Sequence, residues 1–570
     1  MQLSHSQKDK YKKHVSVGNV GSLAEGDFNF VQWLKNEKHI LFGFFFLVFG
    51  VYFNGINNGF VSDDIGSIVT NPYIKDFHTI SQFNGIITTI LYYLAYKVDG
   101  ANPVVFRLLN IFFHFGSVIL LYLFFQQKFS KSLGILVAIM FAVHPVLVES
   151  ITWISGGPYT RYTFFFLLSF VIYTLYPKNP RNIILSAFFF VLSVFTNEKA
   201  VPLFLIFPLY DFIFGGKFRN VKNYLPYVFA TGVFSLVFFG KIGERISGIQ
   251  TDYYSQSTKY LNPLLQLPIA ISEYFRLIFF PSNLTLYHSE LNFSQAEYLV
   301  RLIFFLIFCG VFLFSYIKFR KKSFNWGFIL FWLLFFIISL SVTLTPLGIS
   351  WIVAERYVYL GSVGIFAIVG IIISKLAEKE GLKVFVYTVF SVAIVLLSAR
   401  TIIRNGDWKN EDTLWIATEK TSPSSPTTHN NMGDVYSRKG DLDSAIKSFS
   451  KAIEINPRYA DAYHNRGNAY QNKGDIENAI KDYEIAISIN PNIWQSSQNL
   501  AFIYFEKGAF ASSLKFMEIS YSKNQNINSA FNLALIYSKV GKVKEARSLL
   551  INILSVDPTN ANANALLGQL

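Results

Sequence analysis

Over the first 400 residues the apolar positions come in long unbroken runs; beyond them they recur singly, at helical spacing. A run of about 17–25 apolar residues is enough to cross a bilayer as one helix. Such runs fall at 39–56, 103–125, 132–154, 162–177, 182–197, 199–215, 224–241, 298–317, 326–345, 351–374 and 383–400. The pattern predicts eleven spans. Past Arg400 the runs stop, and Asn, Ser, Asp, Lys and Gly take over.

The polar part repeats. Gly433, Gly467, Ala501, Ala534 and Gly568 lie 34, 34, 33 and 34 residues apart, and Tyr436, Tyr470, Tyr504 and Tyr537 follow three residues later. Gly440, Gly474, Gly508 and Gly541 mark the turns between paired helices. Ala445, Ala479 and Ala546 stand where paired helices touch, and Pro457, Pro491 and Pro558 end the second helix of a pair. This is the tetratricopeptide signature. It gives four repeats and the start of a fifth, the third being degenerate at Ser513, Met517 and Ser520. The predicted fold is therefore all-α. A tail at 1–38 precedes a polytopic helical membrane domain at 39–400, a linker at 401–425 and a tetratricopeptide-repeat α-solenoid at 426–570.

Composition agrees with a membrane protein. Of the 570 residues 52% are hydrophobic and 15% charged, against about 25% charged in soluble domains. Sixty Phe and 32 Tyr suit lipid-facing helices with interfacial rings. The net charge of +14 reads as Lys and Arg that set topology rather than as a nucleic-acid surface. One cysteine, Cys309, excludes a disulfide or a thiolate metal site within the chain. Loops holding Lys128/Lys131, Lys178/Arg181, Lys217/Arg219/Lys222, Lys318/Arg320/Lys321/Lys322 and Lys375/Lys379/Lys383 all become cytoplasmic if 262–281 does not cross. That stretch is accordingly expected to be re-entrant or interfacial. The N-terminus is then inside, and 57–102, 242–297 and the repeats are outside.

Candidate chemistry gathers on the outer side. Asp63 and Asp64 follow the first span. Such a pair could take a proton from an acceptor hydroxyl or ligate a divalent cation. Glu149 lies in HPVLVESITWI, near the outer end of a span that Pro145 should kink. A carboxylate there is costly to insert unless it faces a wet cavity. His144 stands five residues earlier, roughly 140° round the helix, and is not expected to pair with Glu149. Arg161, Lys199, Arg276 and Arg356 are cations on the side that topology disfavours. Three have acidic neighbours, in Glu198–Lys199, Glu273 with Arg276, and Glu355–Arg356. Together they would form a basic rim suited to a phosphate. In the repeats, Asn430, Asp434, His464, Asn468 and Gln498 hold positions expected to line a concave, peptide-binding face.

The segments FVSDDIGSIVTNP, HPVLVESITWISG, TNEKAVPLFLIFPLYD, YFRLIFFPSNLTLYH and TPLGISWIVAERYVYLGS occur in this order. RNGDWKNEDTLW then leads into the repeats. In that ordered set the chain resembles the GT-C superfamily of membrane glycosyltransferases. More closely, it resembles the transmembrane and tetratricopeptide-repeat O-mannosyltransferases and their bacterial relatives. The resemblance implies a polyprenyl-phosphate sugar donor of dolichyl or undecaprenyl type and inverting transfer, most simply of mannose, to Ser/Thr hydroxyls of proteins outside the cytoplasm. It maps the acidic loop motif onto Asp63 and Asp64. The expected partners are that lipid, the bilayer and acceptor proteins held by the repeats, with no nucleic acid. The membrane would be the inner membrane in a bacterium or that of the endoplasmic reticulum in a eukaryote. GlyGlyProTyrThrArg at 156–161 departs from the Gly-Arg loop of relatives and shifts Arg161. Two other readings compete. An O-antigen-ligase-like transferase would keep its main outer loop late in the chain. A non-enzymatic scaffold recruiting partners through its repeats would need no Glu149, Arg276 or Arg356 at membrane depth.

Overall fold

The computed structural model describes residues 28–76, 85–176, 179–219, 221–240, 263–288, 293–344 and 352–570. The basic N-terminal lysines, Lys178, Asn262 and residues 345–351 of the TPLGISW segment lie outside them. The described residues are helical and contain no strand. The chain divides into two compact units, the first ending at Leu414 and the second running from Trp415 to Leu570.

In the first unit the helices are α1 (Phe30–Tyr52), α2 (Ile86–Asp99), α3 (Pro103–Lys128), α4 (Lys131–Val143), α5 (Val148–Thr152), α6 (Pro158–Leu175), α7 (Pro180–Thr196), α8 (Ile206–Gly215), α9 (Leu225–Phe239), α10 (Pro263–Phe279), α11 (Gln295–Arg320), α12 (Phe324–Leu340), α13 (Ser362–Ala377) and α14 (Lys383–Asp407). Local sequence sets their starts. Asn102 and Asn179 cap α3 and α7 from just ahead of a proline at the first turn, where its missing N–H costs nothing. Ser294 and Glu297 cap α11 reciprocally.

Four of these helices (α1 extended to Gly55, α3, α11 and α14) are each long and apolar enough to cross a membrane. The pair Lys131–Val143 and Pro145–Thr152 makes a fifth if it is one span, bent by 55°. Shorter apolar helices occupy most of the other expected spans. The chain is a membrane protein. The stretch 262–281 contains the 17-residue α10, with Pro268 inside it.

The bend has a clear origin. Pro145 cannot continue a helix from α4, and His144 caps the short turn that follows. Carbonyls freed by a break inside a membrane domain must find donors. The Thr401 hydroxyl donates to the Val143 carbonyl at 2.6 Å; the His144 ring, turned out at the break, lies 2.8 Å from the Ile278 carbonyl of α10. Helix packing is close where glycine allows it. A Cβ at Gly116 would stand 2.6 Å from Phe164, and one at Gly364 would stand 2.5 Å from the Trp332 carbonyl. Two features went beyond the sequence pattern. The segment 57–102, expected as an outer loop, contains α2, which buries Thr88, Thr89, Tyr92 and Ala95 and exposes Ile86, Leu94 and Val98. The expected linker 401–425 is largely helical, covered by the end of α14 and by α15 (Glu411–Thr421), and its residues up to Leu414 belong to the first unit.

The second unit is a run of helical hairpins: α16 (Pro426–Arg438), α17 (Leu442–Ile455), α18 (Ala460–Lys473), α19 (Ile476–Ile489), α20 (Trp494–Glu506), α21 (Phe510–Lys523), α22 (Ile527–Lys539), α23 (Val543–Val556) and α24 (Ala561–Gln569). Gly440, Gly474, Gly508 and Gly541 sit between paired helices with φ of 73–86°, a conformation that favours glycine. Gly433 and Gly467 let Phe449 and Tyr483 lie against the neighbouring helix, where a Cβ would stand 2.4 and 2.8 Å from their rings.

Candidate active site

Neighbouring ends of α1, α3, α5 and α14 are joined by polar side chains, and these determine where the candidate residues stand. Arg107 on α3 is 1% exposed and donates to four carbonyls. They belong to Thr152 at 2.8 Å, Ile56 at 3.0 Å, Asn58 at 2.6 Å and Gly59 at 3.0 Å. One turn on, the Asn110 amide donates to the carbonyls of Ile151, Trp153 and Ile154 at 3.2–3.4 Å, and its oxygen accepts from Arg161 at 2.8 Å. Arg161 is fully buried and lies over the Tyr92 ring at 4.6 Å. It thus supports the turn after α5 and has no place on an open rim. The two glycines ahead of it have a steric reason. A Cβ at Gly156 would stand 2.3 Å from the Glu149 carbonyl, and one at Gly157 would stand 2.0 Å from the Asn110 amide oxygen.

Asp63 and Asp64 differ in surroundings. Asp64 is fully buried. It accepts from the Ser155 N–H at 2.8 Å, the Ser155 hydroxyl at 2.6 Å and the Val61 N–H at 3.2 Å. Burial raises its pKa to about 6 against those bonds. Both of its oxygens therefore hold the loop, and the pair does not offer two open carboxylates to a cation. Among the described residues no three His, Cys, Asp or Glu side chains form a set that could hold a metal ion. Asp63 has an accessible side chain set among protein atoms on most sides. That surrounding burial raises its pKa, Arg356 pulls it down, and Glu411 pushes it up.

Arg356 stands at the centre of the cations. Its backbone N–H donates to Glu149 at 2.8 Å, and its guanidinium pairs with the same carboxylate. Glu149 is fully buried, whereas the Arg356 side chain keeps 15% exposure. The expected partner, Glu355, turns the other way. It meets Arg404 at 3.2 Å and accepts from the Thr285 N–H. Residues adjacent in a short 3₁₀ turn, here Glu355–Val358, point in different directions. Arg356 lies over the rings of Trp153 at 5.6 Å and Tyr357 at 5.1 Å. Lys199 lies over the same Tyr357 ring at 4.7 Å. Trp153 stacks on Trp408 at 5.6 Å. Asp63, Glu149, Lys199 and Arg356 thus share one surrounding.

Arg276 stands on α10, paired with Glu273 at 2.6 Å, and Arg301 holds the other oxygen of Glu273 at 2.9 Å. It is the charged residue in the lining of a cavity of about 610 Å³. The rest of the lining is almost wholly apolar, including Phe275, Phe304, Phe308, Leu333 and Ile365. Nearby, His288 is held neutral, at about 3, first by burial and then by Arg276, Arg404 and Arg356.

In the repeats several expected residues are held by hydrogen bonds, most of them to other helices. Asn465 donates to Asn430 at 3.1 Å, and His464 meets Ser496 at 2.8 Å and Asn468 at 3.1 Å. Asn468 also accepts from Tyr483 at 2.7 Å and Asn499 at 2.8 Å. Asp434 and Gln498 are half-buried.

Sequence reasoning passed over Arg107, Asn110, Arg404 and Glu411. For the first two a signal existed, since a cation and an amide inside the apolar run PVVFRLLNIFFH are costly unless bonded.

These features define a class: a polytopic helical membrane protein, with a charged site at one end of a broken helix, joined to tetratricopeptide repeats. Comparison with known proteins agrees. The families described as "TPR repeat" and "Tetratricopeptide repeat" match residues 433–474 and 460–493. "Protein O-mannosyl-transferase TMTC3" of Mus musculus is 24% identical, covering 72% of this chain and 50% of its own length. The Homo sapiens protein of the same name is 25% identical, with 72% and 51% covered. "Protein O-mannosyl-transferase F38B6.6" of Caenorhabditis elegans is 25% identical, with 72% and 61% covered. The chain resembles the transmembrane and tetratricopeptide-repeat O-mannosyltransferases, and it spans about half the length of the first two relatives.

Proposed function

We propose that this chain is a glycosyltransferase that moves a sugar, mannose by its resemblance, from a polyprenyl-phosphate lipid to Ser/Thr hydroxyls of proteins outside the cytoplasm. The observation that carries the reading is an accessible carboxylate, Asp63, in the field of Arg356, which shares the Tyr357 ring with Lys199. The apolar cavity with Arg276 in its lining adds support, because an isoprenoid chain wants apolar walls and its phosphate wants a cation.

The chemistry follows as one displacement. The acceptor oxygen bonds to the anomeric carbon, and its proton passes to Asp63. The bond between that carbon and the phosphate oxygen breaks, and the electron pair leaves with the lipid phosphate. Arg356 and Lys199 stabilise this growing charge, and Arg276 completes the phosphate's surroundings. Configuration at the sugar inverts through an oxocarbenium-like transition state. Glu149 is assigned to holding Arg356, and Asp64 to holding the loop that presents Asp63. The polar ladder of the repeats suits an extended acceptor segment.

The test supplies purified protein in lipid nanodiscs with dolichyl- and undecaprenyl-phosphate mannose and an acceptor peptide panel. Lipid-phosphate release coupled to peptide mass gain is expected, and it should fall by about 10² to 10⁴ in Asp63→Asn. Transfer by Asp63→Asn at the wild-type rate would refute the mechanism. No release from any polyprenyl-phosphate sugar would favour the scaffold reading.

A further inference from the structure

The end of α14 and the stretch that follows it run beside the loop that carries Asp63. Asn58 donates its amide to the Asn405 carbonyl at 2.8 Å, and the Gly59 N–H donates to the Lys409 carbonyl at 2.9 Å. The Ser62 N–H donates to the Glu411 carboxylate. Trp408, between them in sequence, is fully buried and stacks on Trp153. Three successive bonds therefore lace 405–411 along 58–62.

The last of these bonds falls at a special place. Ser62 has a φ of 53°, one of two non-glycine residues with positive φ among those described. A serine rarely keeps this left-handed conformation unless its surroundings impose it. It immediately precedes Asp63, so its backbone angles set the direction in which Asp63 leaves the chain. Asp64 anchors the other side of the turn through Val61 and Ser155.

We propose that Glu411 is a positioning residue: by accepting the Ser62 N–H it fixes the left-handed turn that keeps the Asp63 carboxylate beside Arg356. The inference rests on the reading of Asp63 as the base. It gives the post-membrane segment a part in catalysis separate from joining the two units.

Glu411 also acts by its charge. The charged groups acting on Asp63 are Arg356 from the 3₁₀ turn and Glu411 at the start of α15. Burial and Glu411 both raise the Asp63 pKa, and Arg356 lowers it. Removing the Glu411 charge should therefore lower that pKa and keep the base ionised to lower pH.

The experiment measures lipid-phosphate release against pH for full-length wild type, Glu411→Gln, Glu411→Ala, Ser62→Gly and the Ser62→Gly/Glu411→Ala pair. Glutamine keeps an acceptor oxygen without charge, so the acid limb of kcat/KM should move to lower pH with kcat largely kept. Alanine loses the bond, so kcat should fall by about tenfold to a hundredfold with donor KM within about twofold. Glycine adopts the left-handed turn unaided, so Ser62→Gly should restore most of the alanine loss. An unchanged kcat in Glu411→Ala overturns the proposal, as does failure of Ser62→Gly to rescue Glu411→Ala. Asp63→Asn run in parallel separates the two ideas, since wild-type turnover there removes the base assignment itself.

Discussion

Replacing Glu149 by Gln removes one charge from a buried pair while leaving its shape. Breaking a buried ion pair by removing one partner costs about 3–5 kcal/mol, because the other charge is left uncompensated. Two details lower the figure here. Glutamine still offers one oxygen to the Arg356 N–H, which preserves a hydrogen bond worth about 1 kcal/mol. The Arg356 side chain keeps 15% exposure and two aromatic rings within 5.6 Å, so its charge is not wholly stranded. The expected loss is therefore about 2–3 kcal/mol for Glu149→Gln. Removing the second charge as well, in Glu149→Gln/Arg356→Met, should recover at least about half of that, since apolar replacement of a whole buried pair is often neutral. Chemical unfolding of wild type, Glu149→Gln, Arg356→Met and the double variant in nanodiscs, followed by Trp fluorescence, gives the coupling energy directly. Activity separates from stability in the same set. The double variant should be stable yet inactive, because Arg356 no longer meets the donor phosphate. A Glu149→Gln protein within about 0.5 kcal/mol of wild type would refute the pairing argument, since surface substitutions without structural effect fall in that range.

Gly157→Ala should express poorly or unfold readily, because its methyl group would meet the Asn110–Arg161 bond; a thermal melt beside the milder Gly66→Ala, where a Cβ meets nothing within 4 Å, checks this. Deleting 426–570 should abolish transfer to protein while sparing donor binding, and retained protein transfer would detach the repeats from acceptor delivery. Protease added on the extracytoplasmic side of sealed vesicles should cut the repeats, and cutting from the cytoplasmic side alone would reverse the assigned sidedness. Burial holds His464 neutral, lowering its pKa from 6.5 to about 4. The folded repeats thus bind fewer protons than the unfolded chain across that window, and their stability should fall as pH drops from 6.5 toward 4, as circular dichroism melts can record.

The two units were legible in the sequence to different depths. The repeats were plain because each one reuses the same small residues and turn glycines, so a local pattern decides the packing. The longest membrane runs were plain for a similar reason, since length and apolarity suffice for the four helices that can each cross a membrane, while the count of eleven spans does not follow from them. The site was less so, because its bonds join residues far apart. Arg356 stands beside Glu355 in sequence but pairs with Glu149, 207 positions away. Asp63 and Asp64 cannot be ranked by spacing, and only the bonds of Asp64 to Ser155 and Val61 separate them. Arg161 looked like a rim cation because it is charged near a helix end, yet it packs inward on Tyr92. The segment after Arg400 read as a linker because its apolar run had ended, while Asn405, Trp408 and Glu411 pack by single specific contacts that leave no periodic trace.

The bend at Pro145 bears on how such a chain can change over generations. Thr401 takes up the carbonyl of Val143 at the bend, and Arg107 and Asn110 take up those of Ile151 to Ile154 where the short helix after it ends. The shape of this broken stretch, from the bend to the end of α5, is thus stored in side chains on two other helices. A lineage could lose the proline and keep the bend, because the waiting donors would still draw those carbonyls apart from a regular helix. The reverse does not hold. A lineage that kept the proline but lost Arg107 or Thr401 would leave bare carbonyls inside the membrane domain. Descent should therefore guard the distant polar partners more strictly than the residue that makes the kink visible.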